Sequence, residues 1–247
     1  MKELLFMVVI LLANIIQGIT GFAGTILAMP PSLMLVGYDV AKPVLNVLGL
    51  FSGIYVFLGN RKQVDWKELR NIVQVMLIGI FAGMLIKFGL SGQETVLYGI
   101  LGLFVVILAI SGIYKTIVAK ENEDTKKANE SKVGNVCLLL GAGMAHGIFV
   151  SGGPLLISYL TRKIDKKEVF RATISTVWIL LNSIILIDDI CSGLWTLELL
   201  KILGISIPFL LCGMFIGGKL YRIMSQRFFM NLTYVLLLIS GITLLLK

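Results

Sequence analysis

Two glycine-rich segments interrupt otherwise apolar stretches, and they carry polar groups that could contact a ligand. The first tip is residues 17–25, Gln-Gly-Ile-Thr-Gly-Phe-Ala-Gly-Thr, and the second tip is residues 146–154, His-Gly-Ile-Phe-Val-Ser-Gly-Gly-Pro. Glycine permits the tight, non-helical backbone of a turn. The unpaired N–H groups that begin the next helix bind anions, aided by the positive end of the helix dipole. The two tips therefore predict an anion site.

The residues that we predict to contact the anion lie in the tips or at polar positions in the apolar segment that follows each tip. They are Gln17, Gly18, Thr20, Gly21, Gly24, Thr25, Asn46, His146, Gly147, Ser151, Gly152, Gly153, Ser175 and Thr176, with Asn182 as a further candidate. We expect no charged side chain deep in an apolar segment, so backbone N–H, hydroxyl and amide groups would hold the anion. Each polar group could instead bond a neighbouring helix, and the glycines could serve close helix packing.

Residue types at the tips also predict how the following helices begin. Ser151 could cap a helix whose first residue is Pro154, because serine is favoured at the N-cap and proline at the first helical position. Thr20 or Thr25 could cap the helix after the first tip in the same way. Another set of glycines, spaced by four at Gly79/Gly83 and Gly213/Gly217, predicts close helix packing.

His146 is the only histidine of the chain. Ionisable residues within a membrane segment are functional candidates, and an imidazole could donate to the anion or couple its transport to protons. It could equally be satisfied by a neighbouring carbonyl. A Ser151–His146 dyad would make the chain an intramembrane hydrolase. We expect no enzyme, because both residues flank one tight turn, no HExxH metal motif occurs, and no buried aspartate would orient the histidine.

The chain repeats itself. Residues 18–46 align with 147–175 without a gap, and the same offset places Gln17 on His146 and an identical Ile-Ser-Gly-Ile at 110–113 on 239–242. We divide the chain into a first transmembrane repeat (1–118), a charged cytoplasmic linker (119–132) and a second transmembrane repeat (133–247). Paired glycine-rich interruptions at corresponding places of two repeats are typical of the binding site of a secondary transporter.

Composition makes this an integral membrane protein. Hydrophobic residues form 57% of the chain and charged residues only 15%, against about 25% charged in soluble domains. The apolar segments are 4–36, 43–59, 71–86, 95–114, 134–160, 172–187, 199–218 and 228–246. Three cysteines without paired spacing predict neither a disulfide nor a metal site, and no motif calls for a cofactor. The net charge of +8 sits in short loops between these segments, so nucleic acid is not an expected partner.

The loop charges predict the topology. Lys and Arg cluster at 61–70, 115–132, 162–171 and 219–227, and the positive-inside rule places these loops in the cytoplasm. Loop 61–70 is basic, whereas its counterpart in the second half, near 190–199, is acidic. Aligned loops thus fall on opposite sides, which predicts two inverted repeats, each with a re-entrant or broken-helix hairpin and three transmembrane helices. We expect both chain ends outside the cytoplasm.

Segment lengths favour the hairpins. Residues 4–17 and 25–36 give helical arms of ~21 Å and ~18 Å, and 134–146 and 154–161 give ~20 Å and ~12 Å, at ~1.5 Å per residue. None reaches the ~30 Å of a hydrocarbon core. Re-entrant hairpins with their tips near the midplane fit these lengths, and two tilted, shortened crossings are the alternative.

The glycine-rich first hairpin, its counterpart Gly-Met-Ala-His-Gly-Ile-Phe-Val-Ser-Gly-Gly-Pro at 143–154, the basic loop that follows and the eight apolar segments resemble the TauE/SafE family. The resemblance covers essentially the whole chain. It implies a carrier in the inner membrane of a prokaryote for a small anion such as sulfite, an organosulfonate or a related sulfur oxyanion. An anion channel is the alternative within the same fold. Homo-oligomerisation stays open.

Overall fold

The computed structural model describes residues 2–21, 23–90, 93–118, 132–164 and 166–220, with isolated positions between 235 and 245. These residues form nine α-helices and no strand. The helices are α1 Lys2–Thr20, α2 Gly24–Val36, α3 Tyr38–Asn60, α4 Trp66–Gly89, α5 Glu94–Val118, α6 Lys132–Phe149, α7 Gly153–Lys163, α8 Lys167–Cys191 and α9 Leu197–Leu220. A 3₁₀ turn, Arg61–Gln63, joins α3 to α4. Linker residues 119–131 and most of the last apolar segment lie outside the described residues.

Six of the described helices are long and apolar enough to cross a membrane: Lys2–Thr20, Tyr38–Gln63, Trp66–Gly89, Lys132–Phe149, Glu168–Cys191 and Leu197–Leu220. Helix α4 leaves Ile78, Phe81 and Leu85 exposed, and large apolar surfaces of this kind are rare on soluble monomers. The predicted class is confirmed: this is an all-α, multi-pass membrane protein.

The helix ends follow local sequence. Asp65 caps α4, because its Oδ1 accepts a hydrogen bond of 3.0 Å from the Glu68 N–H. Gly37 separates α2 from α3 at a φ of 78°, and Gly193 follows α8 at a φ of 69°, both in the region that glycine adopts without steric cost.

Each predicted hairpin is present as a helix, a turn and a shorter returning helix. The first arms are longer than the sequence predicts: α1 has 19 residues and α6 has 18, or ~28 Å and ~27 Å. They are longer because Gly18 and Gly147 stay helical and pack against other helices. A Cβ at Gly18 would lie 3.0 Å from the Met214 carbonyl oxygen, and one at Gly147 would lie 2.6 Å from that of Ile80.

The returning arms are short, as predicted. Helix α2 has 13 residues and α7 has 11, or ~20 Å and ~17 Å, well below the ~30 Å of a hydrocarbon core. The turns themselves are short, since α1 ends at Thr20 and α2 begins at Gly24, while α6 ends at Phe149 and α7 begins at Gly153. The tip residues Gly18, Gly24, Phe149 and Ser151 are buried, so both tips lie within the helix bundle.

The helix packing matches between the repeats. Helix α1 packs on α9 and α6 packs on α4, while α3 and α8 pack on each other at the centre. The repeat alignment places α1 on α6 and α4 on α9. The α1–α9 contact therefore corresponds to the α6–α4 contact. The predicted packing glycines lie in them: a Cβ at Gly79 would be 3.0 Å from the Gly143 Cα, and one at Gly217 would be 2.9 Å from the Gly18 Cα. The inversion of the repeats across the membrane stays a prediction.

Candidate functional site

Both tips line a single small cavity beside the central helices α3 and α8. Its lining residues are Gln17, Thr25, Ile26, Gly49, His146, Val150, Ser151, Gly153, Trp178 and Asn182. The cavity volume is about 10 Å³, which is room for one water molecule. Five of the residues predicted from the tips meet here: Gln17, Thr25, His146, Ser151 and Gly153.

An amide network holds the first tip. The Oε1 of Gln17 accepts a hydrogen bond of 2.8 Å from the Gly24 N–H, and its Nε2 donates to the Ser52 Oγ at 3.2 Å. Gln17 therefore occupies the first N–H of α2, a role that the sequence assigned to a threonine. A Cβ at Gly24 would lie 2.6 Å from the Gln17 Cβ, so only glycine allows this approach.

Two N–H groups of α2 face no partner within the helix. The first intrahelical bond of α2 runs from the Leu27 N–H to the Ala23 carbonyl at 3.2 Å. Thr25 and Ile26 precede it, and N–H groups at such positions need a partner from outside the helix. Both residues line the cavity. The start of α2 is thus suited to donate to an acceptor placed between the tips.

Thr20 does not cap α2 as the sequence predicted. Its Oγ1 donates to the Ile16 carbonyl at 2.8 Å and accepts from the Ala23 N–H at 3.2 Å. Gly21, at a φ of 82°, makes the turn that follows. Thr20 therefore supports the turn of the first tip, and Gln17 supports the helix after it.

The second tip is held by aromatic stacking. The His146 ring stacks on Trp178 with the ring centroids 5.0 Å apart, and its Nε2 is 2.8 Å from the Asn182 Oδ1. The Nδ1 of His146 and the Nε1 of Trp178 are buried without a hydrogen-bond partner. These two ring nitrogens belong to side chains that line the cavity.

The predicted cap at Ser151 is wrong. The Ser151 Oγ donates to the Phe149 carbonyl at 2.8 Å, and Gly152 is the N-cap of α7 without any side-chain cap. The cause is the turn at Val150, whose φ of 54° brings Ser151 back over the last carbonyls of α6, which lack helical partners. Pro154 is the second residue of α7, close to its predicted place.

The other predicted residues lie outside the cavity lining. Asn46 Nδ2 donates to the Asn182 carbonyl at 3.0 Å, Thr176 Oγ1 donates to the Ala172 carbonyl at 2.8 Å, and the Ser175 Oγ is buried without a partner. A Cβ at Gly152 would lie 2.2 Å from the Ala142 carbonyl oxygen. Contact of these residues, and of Gly18, Gly21 and Gly147, with a substrate stays a prediction.

The family described as "Sulfite exporter TauE/SafE" matches residues 6–244, which is nearly the whole chain. This chain belongs to the TauE/SafE family. Searches of curated proteins and of solved structures give no match. The family is one of membrane transporters for sulfite and related sulfur anions. Family membership therefore indicates a small anionic substrate and a lipid bilayer as the partners of this chain.

Sequence reasoning missed two parts of this TauE/SafE protein. Trp178 is not among the residues predicted from the sequence, although the repeat alignment places it on Gly49 and both line the cavity. The ion pair of Lys42 and Asp189, which are fully buried between α3 and α8, is also not among the sequence predictions. Both lie near helix ends, just outside the apolar segments 43–59 and 172–187. The alignment of Lys42 with Arg171 was the available signal, because both begin a span one turn before a predicted site residue.

The hydrolase alternative has no support in this TauE/SafE structure. Ser151 Oγ is engaged with the Phe149 carbonyl, and His146 Nε2 is engaged with Asn182. The Nδ1 of His146 has no hydrogen-bond partner, so serine and histidine form no nucleophile–base pair, which such chemistry requires.

Proposed function

We propose that this protein is a secondary carrier that binds one small anion between its two tips. The substrate would be sulfite, an organosulfonate or a related sulfur oxyanion. The observation that carries the proposal is that residues of both tips line a single cavity. Each repeat would contribute one wall of the site, and the two walls could then move against each other to expose the anion on alternate sides of the membrane.

The donors around the cavity suit an oxyanion. The N–H groups of Thr25 and Ile26 have no acceptor within α2 and line the cavity, so they can donate. The positive end of the α2 dipole favours negative charge there. Trp178 Nε1 is a donor only, and leaving such a group buried and unpaired costs about 1–3 kcal/mol. An anion oxygen placed there would satisfy it. No fixed cation is needed at the cavity itself.

The cavity size requires the tips to move during transport. Room for about one water molecule is too little for a sulfur oxyanion, so the tips must separate for the anion to bind. A carrier passes through such closed states in every cycle, and saturable exchange is what separates it from a gated channel. The tips would therefore be closed here and would open to one side at a time.

The proposal extends to the orientation of the protein in the membrane and to proton coupling. The basic loops 61–70 and 162–171 would face the cytoplasm of a prokaryote, with the two repeats inverted across its inner membrane. His146, which borders the cavity, is the residue through which proton coupling would act. Homo-oligomerisation plays no part in this mechanism.

Uptake into liposomes tests the proposal. Purified protein would be screened with sulfite, sulfate, thiosulfate, sulfonates and carboxylates, with Gly204→Val as the control because a Cβ there meets nothing within 4 Å. We expect saturable uptake of a sulfur oxyanion and accelerated exchange when the same anion is present on both sides. No uptake of any anion would reject the function, and conductive flux that does not saturate would favour a channel.

A further inference from the structure

A buried ion pair lies above one end of the cavity. Lys42 on α3 and Asp189 on α8 are both fully buried, and each comes from a different repeat. Lys42 is two helical turns from Gly49, and Asp189 is two helical turns from Asn182, which is ~10 Å on each helix. Gly49 and Asn182 line the cavity. The ion pair therefore closes the α3–α8 interface on one side of the cavity.

The ion pair continues outward to half-buried charges. Asp188 Oδ2 lies 3.9 Å from the Lys42 Nζ and 4.0 Å from the Lys87 Nζ, and the side chains of Asp188 and Lys87 are 33% and 22% exposed. Between the ion pair and the cavity, Asn46 donates to the Asn182 carbonyl. A line of polar groups thus runs from the cavity to the surface at this end of α3, α4 and α8.

Opening this interface by itself is unfavourable. Separating the two charges would leave Lys42 with only the partly exposed Asp188 carboxylate, at 3.9 Å, and breaking a buried ion pair on one side is strongly destabilising. One Asp189 oxygen, Oδ2, already lacks a hydrogen-bond partner, so Lys42 supplies the bond that makes burial of the carboxylate tolerable. A second anion at Lys42 would remove the penalty on the lysine and let the carboxylate leave.

We propose that the Lys42–Asp189 ion pair is an anion-dependent gate, in which the arriving substrate anion takes the place of the Asp189 carboxylate on the Lys42 ammonium. This rests on the proposed function. The ammonium donates charge-assisted hydrogen bonds to a sulfur oxyanion as it does to a carboxylate. Lys87, at the outer edge, adds a second positive charge. The gate stays shut without substrate because only an anion within hydrogen-bond distance of Lys42 can replace Asp189, and Asp188 at 3.9 Å is too far away.

Removing the Asp189 carboxylate, which competes with the substrate anion for Lys42, tests the gate. Thermal unfolding of purified protein would be followed while sulfite is added to the wild type, Asp189→Asn and the control Glu198→Gln. We expect Asp189→Asn to lower the Tm without sulfite and to show a larger sulfite-dependent rise in Tm than the wild type. Glu198→Gln should show the same sulfite-dependent rise as the wild type, because Glu198 is exposed in the first turn of α9. A rise in Asp189→Asn equal to that of the wild type would overturn the gate.

A second variant decides the matter if Asp189→Asn does not fold. Lys42→Met/Asp189→Leu replaces both charges by packed apolar groups, which is often neutral or stabilising. The gate predicts a folded protein that loses sulfite uptake into liposomes, since no anion can open it. Uptake at the wild-type rate would show that the ion pair only holds the helices together. Failure of the wild type itself to bind or transport sulfite would count against the proposed function and not against the gate alone.

Discussion

The first tip is held by an amide that bonds the backbone, whereas the second tip is held by an imidazole that stacks on an indole. The repeat alignment pairs Gln17 with His146 and Gly49 with Trp178, and all four line the cavity. The cavity thus has a wall of amide and N–H donors on one side and an aromatic wall on the other. The two halves of the chain therefore share the backbone turn of their tips and differ in the side chains that line the cavity.

Both tips turn at a residue with positive φ. Gly21 and Val150 are aligned, and both have a positive φ, 82° and 54°. The side chains differ because of what lies nearby: a Cβ at Gly21 would be 3.2 Å from the Arg171 Cγ, whereas Val150 lines the cavity. A β-branched residue at positive φ is uncommon, and such strain persists where the surroundings over-determine it. The second tip therefore carries more backbone strain than the first.

Each tip is also fastened by the opposite half of the chain. The Gly18 carbonyl, near the end of α1, accepts a hydrogen bond of 2.8 Å from Arg171 at the start of α8. The Ile148 carbonyl, near the end of α6, accepts one from the Tyr38 hydroxyl at the start of α3. A movement of either central helix would therefore pull on the tip of the other repeat, which suits a mechanism in which both tips respond together.

Among the substitutions that test the difference between the two tips, Gln17→Glu should have the largest effect on sulfite uptake. The carboxylate would place a negative charge in the wall that we propose to receive an anion, and it would lose the donor to Ser52. We expect sulfite uptake to be lost. Gln17→Ala should also weaken uptake and reduce the free energy of unfolding by about 1–3 kcal/mol, because the Gly24 N–H loses its acceptor. Full sulfite uptake by Gln17→Glu would show that the donors of the first tip do not contact the anion.

His146→Gln should have an intermediate effect, because it gives the second tip the side chain of the first. Glutamine could still donate to the Asn182 Oδ1 but could not stack on Trp178. We expect weaker binding that is not abolished. His146→Ala should be less stable than His146→Gln, since the buried Asn182 oxygen would lose its partner.

The same variant tests proton coupling. If His146 carries the proton, affinity should fall as pH rises, because deprotonation removes a positive charge beside the anion. Affinity would be measured against pH with a sulfonate, whose own charge stays constant, in the wild type and in His146→Gln. The variant should lose the dependence and keep binding. Identical pH profiles for the two proteins would exclude His146 from the coupling.

Gly21→Ala should have the smallest effect. A left-handed conformation costs an L-residue roughly 1–2 kcal/mol, and the new methyl would press on Arg171. We expect a loss of stability of about that size in chemical denaturation, with binding largely kept. Gly204→Ala serves as the control, because its Cβ would meet nothing within 4 Å. Equal stability of the two variants would mean that the turn of the first tip tolerates a side chain.

Much of the fold was predictable because membrane constraints act on the sequence directly. Apolar length identified the helices, and the interruptions at 17–25 and 146–154 identified the hairpins. The turns were misplaced by a few residues because Gly18 and Gly147 serve packing against α9 and α4, and a glycine in one sequence does not tell a turn from a contact.

The side-chain network was not predictable from single positions. Gln17 caps α2 from a distance of seven residues along the chain, and the Lys42–Asp189 ion pair joins residues 147 positions apart. Both depend on how the helices pack. The repeat alignment carried part of this information, since it relates Lys42 to Arg171 and Gly49 to Trp178.

Sulfite binding to the two tip variants Gly24→Val and Gly153→Val tests the central claim most directly. Both glycines are buried in the tips, and Gly153 lines the cavity, so a bulky side chain at either should block one wall of a shared site. Calorimetry on purified, folded proteins should give one site in the wild type and in Gly204→Val, and no measurable binding in either tip variant. Unchanged sulfite affinity in Gly153→Val would contradict a site formed by both tips.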